Sequence, residues 1–168
     1  MDEIIFKVAE AETERAEYFA VRQAIFVEEQ AMFHGTDEDE HDADPRTIHL
    51  VAINAATGAV VGAVRCYTVG NDVWYGGRLA VLPEYRHHPA AIGPNLCRLA
   101  EASVLERGCR RFLAYIQMQN VRFFERLNWS AVGEPVDYHG QLHQLMAASL
   151  TVTHFEPYRM GINQLVHA

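Results

Sequence analysis

The sequence predicts a mixed α/β (α+β) domain: one central sheet of about seven strands, flanked by helices. Three observations carry that prediction. Short strand-like runs stand at residues 3–9, 48–53, 60–67, 73–82, 112–118 and on both sides of a turn at 139–140. Two longer stretches, 13–30 and 92–107, repeat their apolar residues at the 3,4 spacing of a buried helix face. The two kinds of element alternate as βα, βββ, αβ, α, ββ, which places the helices against one sheet and not in a bundle of their own.

Taken in order, Ile4, Phe6 and Val8 alternate and predict the first strand. In the following helix Tyr18, Val21, Arg22, Ile25 and Glu29 share one face, with Thr13 as a candidate N-cap. Thr57-Gly58 turns strand 48–53 into strand 60–67, and Gly70-Asn71-Asp72 turns that into strand 73–82, which Pro83 ends. Ile92, Leu96, Leu99, Ala100 and Val104 form the stripe of the second helix, and Gly108 stands where a left-handed residue ends it. A strand at 112–118, a short helix at 120–127 and a left-handed Asn128 come next. Residues 129–138 and 142–150 read as a closing hairpin. Residues 1–150 make one domain, and 151–168, broken by Pro157 and Gly161, form an extension of undefined structure.

Size and charge narrow the function classes. A chain of 168 residues is one domain by length and buries roughly 70% of its unfolded surface. A net charge of -8 repels phosphate backbones, so no nucleic-acid partner is expected. The first residues lack the basic stretch of a signal peptide and no run approaches 18 apolar residues, so neither membrane nor export is expected, and the cytoplasm is the expected compartment. Cys66, Cys97 and Cys109 are odd in number and widely spaced; they read as core fillers, and no metal site is expected. The acidic island at 37–45 reads as a solvated loop closed by Pro45. Exposed strand edges leave room for a homodimer.

Two segments carry chemistry. Arg78-Leu79-Ala80-Val81-Leu82-Pro83-Glu84-Tyr85-Arg86 runs from a strand into a loop, and the helix that follows starts near Gly93, Pro94 and Asn95. Free N–H groups and the dipole at such a helix start suit a phosphate or pyrophosphate, to which Arg86 adds a charge. The bland alternative is a plain β–α connection with a surface arginine. The second segment, Asn120 to Trp129, opens a short helix with a good N-cap and carries Phe123 and Phe124; its alternative is an ordinary packed helix.

Together these segments resemble the GNAT acetyltransferase superfamily, over almost the whole of residues 3–150. The resemblance implies a thioester donor, acetyl-CoA, and transfer to the amine of a small molecule by direct attack. It implies a donor site built from Leu79, Ala80, Val81, Arg86, His87, His88, Gly93, Asn95, Asn120, Phe123 and Phe124, with a backbone oxyanion donor near 79–81. The chain departs from the family's loop pattern: it has two extra residues between Arg86 and Gly93, and His87 and Pro89 replace glycines. Phe124 stands where many members have the tyrosine thought to protonate the leaving thiolate.

A nearer likeness runs from Arg22 to Gln30, then Phe33, Asp37, Asp39 and Asp42, and returns at His139–Met146. It resembles small bacterial branches of the superfamily, including one associated with nitrogen starvation. Acyl-homoserine-lactone synthases share part of this pattern, with Arg22, Phe26, Asp39, Asp42 and Arg65 in matching places, but Tyr75 replaces the acid expected three residues before Arg78.

For acceptor chemistry, Glu29 and His143 are the candidate catalytic groups, and Arg22, Phe26 and Arg65 the candidate substrate-binding ones. Each has a structural alternative. Glu29 would be a surface carboxylate, Arg22 a partner of nearby acids, His143 a hydrogen-bonded core histidine and Arg65 a sheet arginine. Two rival functions follow: an autoinducer-synthase-like acyltransferase using longer acyl donors, and a non-catalytic CoA-binding module.

Overall fold

The computed structural model describes residues 2–150; the extension 151–168 lies outside the described residues. Strands β1 (Ile4–Val8), β2 (Ile48–Asn54), β3 (Val60–Gly70) and β4 (Val73–Val81) form an antiparallel meander. β4 then pairs in parallel with β5 (Arg111–Gln117), and β8 (Gln141–Ala148) runs antiparallel to β5. Among the described residues the sheet has eight strands in the order β1-β2-β3-β4-β5-β8-β6 (Trp129–Ala131), with β7 (Val136–Tyr138) also on β8. The single strand expected at 129–138 is two short ones, β6 and β7. Gly133, at φ +68°, lies in the connection between them, and each pairs with a different part of β8.

Helix α1 (Glu12–Arg22) lies on one face of the sheet. Its Tyr18 and Val21 pack with Val51, Ala63 and Ala80. Helix α3 (Ile92–Leu105) lies on the other, where Ile92, Leu96 and Ala100 pack with Leu50, Val61 and Phe112. β2 is covered on both faces and buried from end to end, as a central strand between two helical layers must be. Gly62 lets α3 approach: a Cβ there would stand 3.0 Å from Ile92 Cγ2 and from Leu96 Cδ1. Gly108 and Asn128 have the positive φ expected of them, +78° and +67°.

Three local expectations are corrected. Thr13 is not the cap of α1. Ala11 holds that position, and Glu14 Oε1 accepts from the N–H groups of Glu10 and Ala11 at 3.0 and 3.1 Å. The helix does not continue as regular α to residue 30; Gln23–Glu29 wind as a π-helix. The acidic island is no free solvated loop. It forms a short helix α2 (Glu40–Ala43) capped by Asp39, and Asp37 is buried. The reason is the arginines beneath it.

Candidate active site

β4 and β5 pair only from Val73↔Arg111 to Tyr75↔Leu113 and then part. The splay opens a cavity of about 130 Å³ whose lining runs from Phe26 and Phe33 on one side to Cys97 and Ala100 of α3 on the other. Beside it β4 carries a bulge. The register with β3 jumps from Arg65↔Gly77 to Ala63↔Ala80, so Arg78 and Leu79 together stand opposite Val64. Arg78 takes φ +55°, a left-handed conformation that disfavours an arginine unless its surroundings fix it.

They do fix it. Arg22, Arg65 and Arg78 meet Asp37, Asp39 and Asp42 in a buried cluster, three charges of each sign. Arg22 Nε donates to Asp37 at 2.7 Å; its other nitrogens donate to Asp42 at 2.7 and 3.0 Å, to the Tyr18 hydroxyl and to the Asp37 carbonyl. Arg65 grips Asp39 with both terminal nitrogens, at 2.6 and 2.7 Å, and lies 3.0 Å from Asp42. Arg78 donates to Asp37 at 3.2 Å and to its carbonyl at 3.0 Å, and its guanidinium lies 4.3 Å from the Phe33 ring centroid. Burial pushes the Asp42 carboxyl up, but the hydrogen bonds and charge of Arg22, with Arg65 behind, outweigh it and hold Asp42 far below the usual carboxylate range. Removing one member of such a cluster strands a buried charge, at a cost of about 3–5 kcal/mol. The cluster therefore locks α1, the acidic segment and the β4 bulge into one geometry.

His143, on β8, lines the cavity although it is only 1% exposed. Its Nδ1 stands 2.9 Å from the Gln141 carbonyl. A carbonyl only accepts, so Nδ1 carries the proton in this contact, which leaves Nε2 as the nitrogen that exchanges a proton. The edge of Tyr138 holds the ring from the side, with centroids 5.0 Å apart. Two buried donors on lining residues, Arg65 Nε and Trp129 Nε1, have no partner among the described residues.

The expected site residues fall in different places. Phe26, Arg65, Leu79, Asn120, Phe124 and His143 line the cavity. Ala80 is in the core, and Val81 offers its carbonyl to Arg86 Nε at 3.1 Å. Phe123, half-buried, reaches toward the start of α3: its Cζ lies 3.7 Å from where a Gly93 Cβ would be. A Cβ at Gly93 would therefore meet the Phe123 ring at ordinary van der Waals distance. Ala91, the N-cap of α3, offers no side-chain cap to the first turn. Asn95 turns inward and donates to the Ala90 carbonyl at 2.6 Å. His88 Nδ1 accepts from the Ala90 N–H, and His87 is exposed.

Arg86 and Glu29, expected in separate roles, meet each other: Arg86 donates to Glu29 Oε1 at 2.5 Å. Neither lines the cavity, and Arg22, consumed by the buried cluster, does not line it either. The residues that sequence reasoning missed are aromatic. Tyr67, Tyr75, Tyr115 and Tyr138 all line the cleft. A signal for the first pair was present: Tyr67 and Tyr75 are equidistant from Asn71 in the turn, which places them opposite each other across the hairpin. Among the described residues no cluster of His, Cys, Asp and Glu is arranged to hold a metal ion, and no helix is long and apolar enough to cross a membrane.

Comparison with known proteins agrees with this geometry. Residues 10–129 match the model of the acetyltransferase (GNAT) family, and the chain belongs to that family. It is 30% identical over 129 residues to a Bacillus subtilis protein assigned as an acetyltransferase, covering 76% of this chain and 84% of that one. Among solved structures it resembles a Lactobacillus plantarum protein assigned as an N-acetyltransferase (TM-score 0.77, 22% identity, 89% of this chain and 100% of that one). It also resembles the CoA-dependent acyl-homoserine lactone synthase BjaI, determined with SAM and isopentyl-CoA (TM-score 0.73, 17% identity, 97% and 90% covered). An acyl-CoA N-acyltransferase from Pseudomonas aeruginosa is similar to the same degree (TM-score 0.73, 19% identity, 89% and 100% covered). At these identities the structures speak to the fold: an open sheet flanked by helices, shared across acyltransferases.

Proposed function

We propose that the protein transfers an acetyl group from acetyl-CoA to the primary amine of a small molecule, with His143 as general base. The observation that carries this reading is the cavity at the β4–β5 splay, with a histidine on its wall whose Nδ1 is held by the Gln141 carbonyl. The thioester enters the splay, and its pyrophosphate meets the uncapped first turn of α3 beside Gly93, with His87 and His88 in the loop before it. The incoming ammonium gives a proton to His143, directly or through one water. The neutral nitrogen attacks the thioester carbonyl, the oxyanion is met by backbone N–H near the Arg78–Leu79 bulge, collapse breaks the C–S bond, and the nitrogen's surplus proton passes through water to the departing thiolate. Phe124 cannot protonate the departing thiolate. With an ordinary thiol pKa of about 8.5, the thiolate leaves without a dedicated acid.

Direct attack is supported by the cysteines. Cys97 lines the cavity, but burial, with Glu101 nearby, pushes its thiol far above the ordinary range, so it does not supply a thiolate nucleophile. All three cysteines are free and buried, which suits a reducing cytoplasm.

The test is release of CoA thiol from acetyl-CoA with a panel of primary amines. His143→Gln keeps the ring's volume roughly and removes the base; the expected loss is about 10²–10⁴-fold in kcat, with the donor KM little changed. An unchanged kcat and pH profile would overturn the assignment of His143. A total absence of thiol release across the panel would favour a non-catalytic CoA-binding module.

A second reading concerns the donor. The cavity passes between the strands to Cys97, Ala100, Phe112, Phe124 and Trp129, an apolar lining far larger than an acetyl group needs. Its volume, about 130 Å³, approaches the roughly 150 Å³ of an engineered cavity that holds benzene. Longer acyl chains, the donors of an autoinducer-synthase-like enzyme, would fill it. A series from acetyl- to hexanoyl-CoA decides between the readings by where kcat/KM peaks.

A further inference from the structure

The face of β3 that carries Arg65 also carries Tyr67, and from there a row of tyrosines crosses the sheet. Tyr67 of β3, Tyr75 of β4, Tyr115 of β5 and Tyr138 of β7 have successive ring centroids 5.6, 6.1 and 5.2 Å apart. Their planes lie within 11°, 13° and 7° of parallel. His41 of α2 stacks on Tyr67 at 3.6 Å and ends the row on one side; at the other, Tyr138 abuts His143. Four strands each contribute one tyrosine to the same line, and each of the four lines the cleft.

Two features make this row a binding surface as well as packing. None of the four hydroxyls has a hydrogen-bond partner among the described residues, and Tyr115 is 38% exposed. Burial pushes the Tyr67 phenol up to about 12 and raises Tyr75 as well, so both stay protonated donors at any working pH. The charge of the acid–arginine cluster beside the row is also spent. The carboxylates of Asp37, Asp39 and Asp42 are matched by Arg22, Arg65 and Arg78. A polycation or a carboxylate would therefore find no unmatched charge in that cluster, while an aromatic body would find rings.

We propose that the Tyr67–Tyr75–Tyr115–Tyr138 row is the acceptor platform, and that the acceptor is an arylalkylamine, a primary amine carried on an aromatic ring. The ring lies against the tyrosines, and the nitrogen points toward His143 at the Tyr138 end. The inference rests on the reading of the cleft as the site of acyl transfer, and its test separates the two.

Calorimetric binding to the full chain, without donor, compares phenethylamine with n-hexylamine and spermidine. The ring should bind about threefold to tenfold tighter than the alkyl chain, the range expected for one aromatic contact. Tyr115→Leu, at a site exposed enough to tolerate it, should erase that preference, and Tyr115→Phe should keep it; thermal melts of both variants establish that they fold. Equal or tighter binding of hexylamine or spermidine, or a preference that survives Tyr115→Leu, would overturn the platform. Acetyl-CoA is then added and thiol release followed. Ring-selective binding without release would overturn acyl transfer and leave the platform standing. Release with no ring preference would do the reverse.

Discussion

Glu101 sits in α3, 5% exposed, with one carboxylate oxygen that has no partner among the described residues. Burial pushes its carboxyl from 4.5 up to about 7, against a weaker pull from Arg98. The sign follows from linkage. An acid raised in the folded state makes its full contribution below its unfolded pKa, here 4.5, and loses it as pH rises through about 7. Glu101→Gln removes the charge and keeps the shape. Urea unfolding at pH 5 and pH 8 should show the wild type losing about 2–3 kcal/mol that the variant retains; parallel pH dependence in the two would contradict it. At this scale the sequence was partly legible. His143, Phe26, Arg65, Leu79, Asn120 and Phe124 were named as candidates and line the cavity; Arg65, Leu79 and His143 reach it from strands, and Phe26, Asn120 and Phe124 from helical turns. Glu29 and Arg86 were not expected to meet, since their pairing spans 57 residues and no local pattern encodes it.

Helix α3 owes its position to a missing side chain. With a Cβ at Gly62 only 3.0 Å from Ile92 Cγ2 and Leu96 Cδ1, Gly62→Ala forces those side chains of α3 to give by a few tenths of an ångström. The expected cost is about 1–3 kcal/mol, or roughly 3–10 °C in Tm. Gly77→Ala is the control: nothing lies within 4 Å of its Cβ position, and its Tm should move by no more than about 2 °C. Equal Tm losses in a thermal melt of the two variants would refute this account of α3. Elements with strong periodicity and end signals, such as α3 with Gly108 or the Gly70-Asn71-Asp72 turn, were readable directly. The acidic segment was not. A charge run reads as solvated until its counter-ions are known, and those come from α1, β3 and β4. The π-helical turn at Gln23–Glu29 and the division of β6 from β7 likewise depend on tertiary contacts.

For the whole molecule, a surface with a net charge of -8 surrounds a cleft whose nearest acids and arginines cancel. Acidic character therefore describes the exterior, while the cleft is walled mostly by aromatic and apolar residues. The parting of β4 from β5 joins the two halves of the proposed reaction: the start of α3 faces one end of the donor, and His143 with the tyrosine row faces the acceptor. The central claim is that an acyl-CoA occupies this parting. The most direct measurement is the melting temperature of the full chain with acetyl-CoA, with hexanoyl-CoA and with free CoA. A ligand at about 100 times its Kd adds roughly 2.7 kcal/mol, which for a chain of this size is about 5–10 °C. A rise of that size with either thioester is the predicted result, and the larger of the two rises names the donor. No rise with either at millimolar concentration would contradict the account.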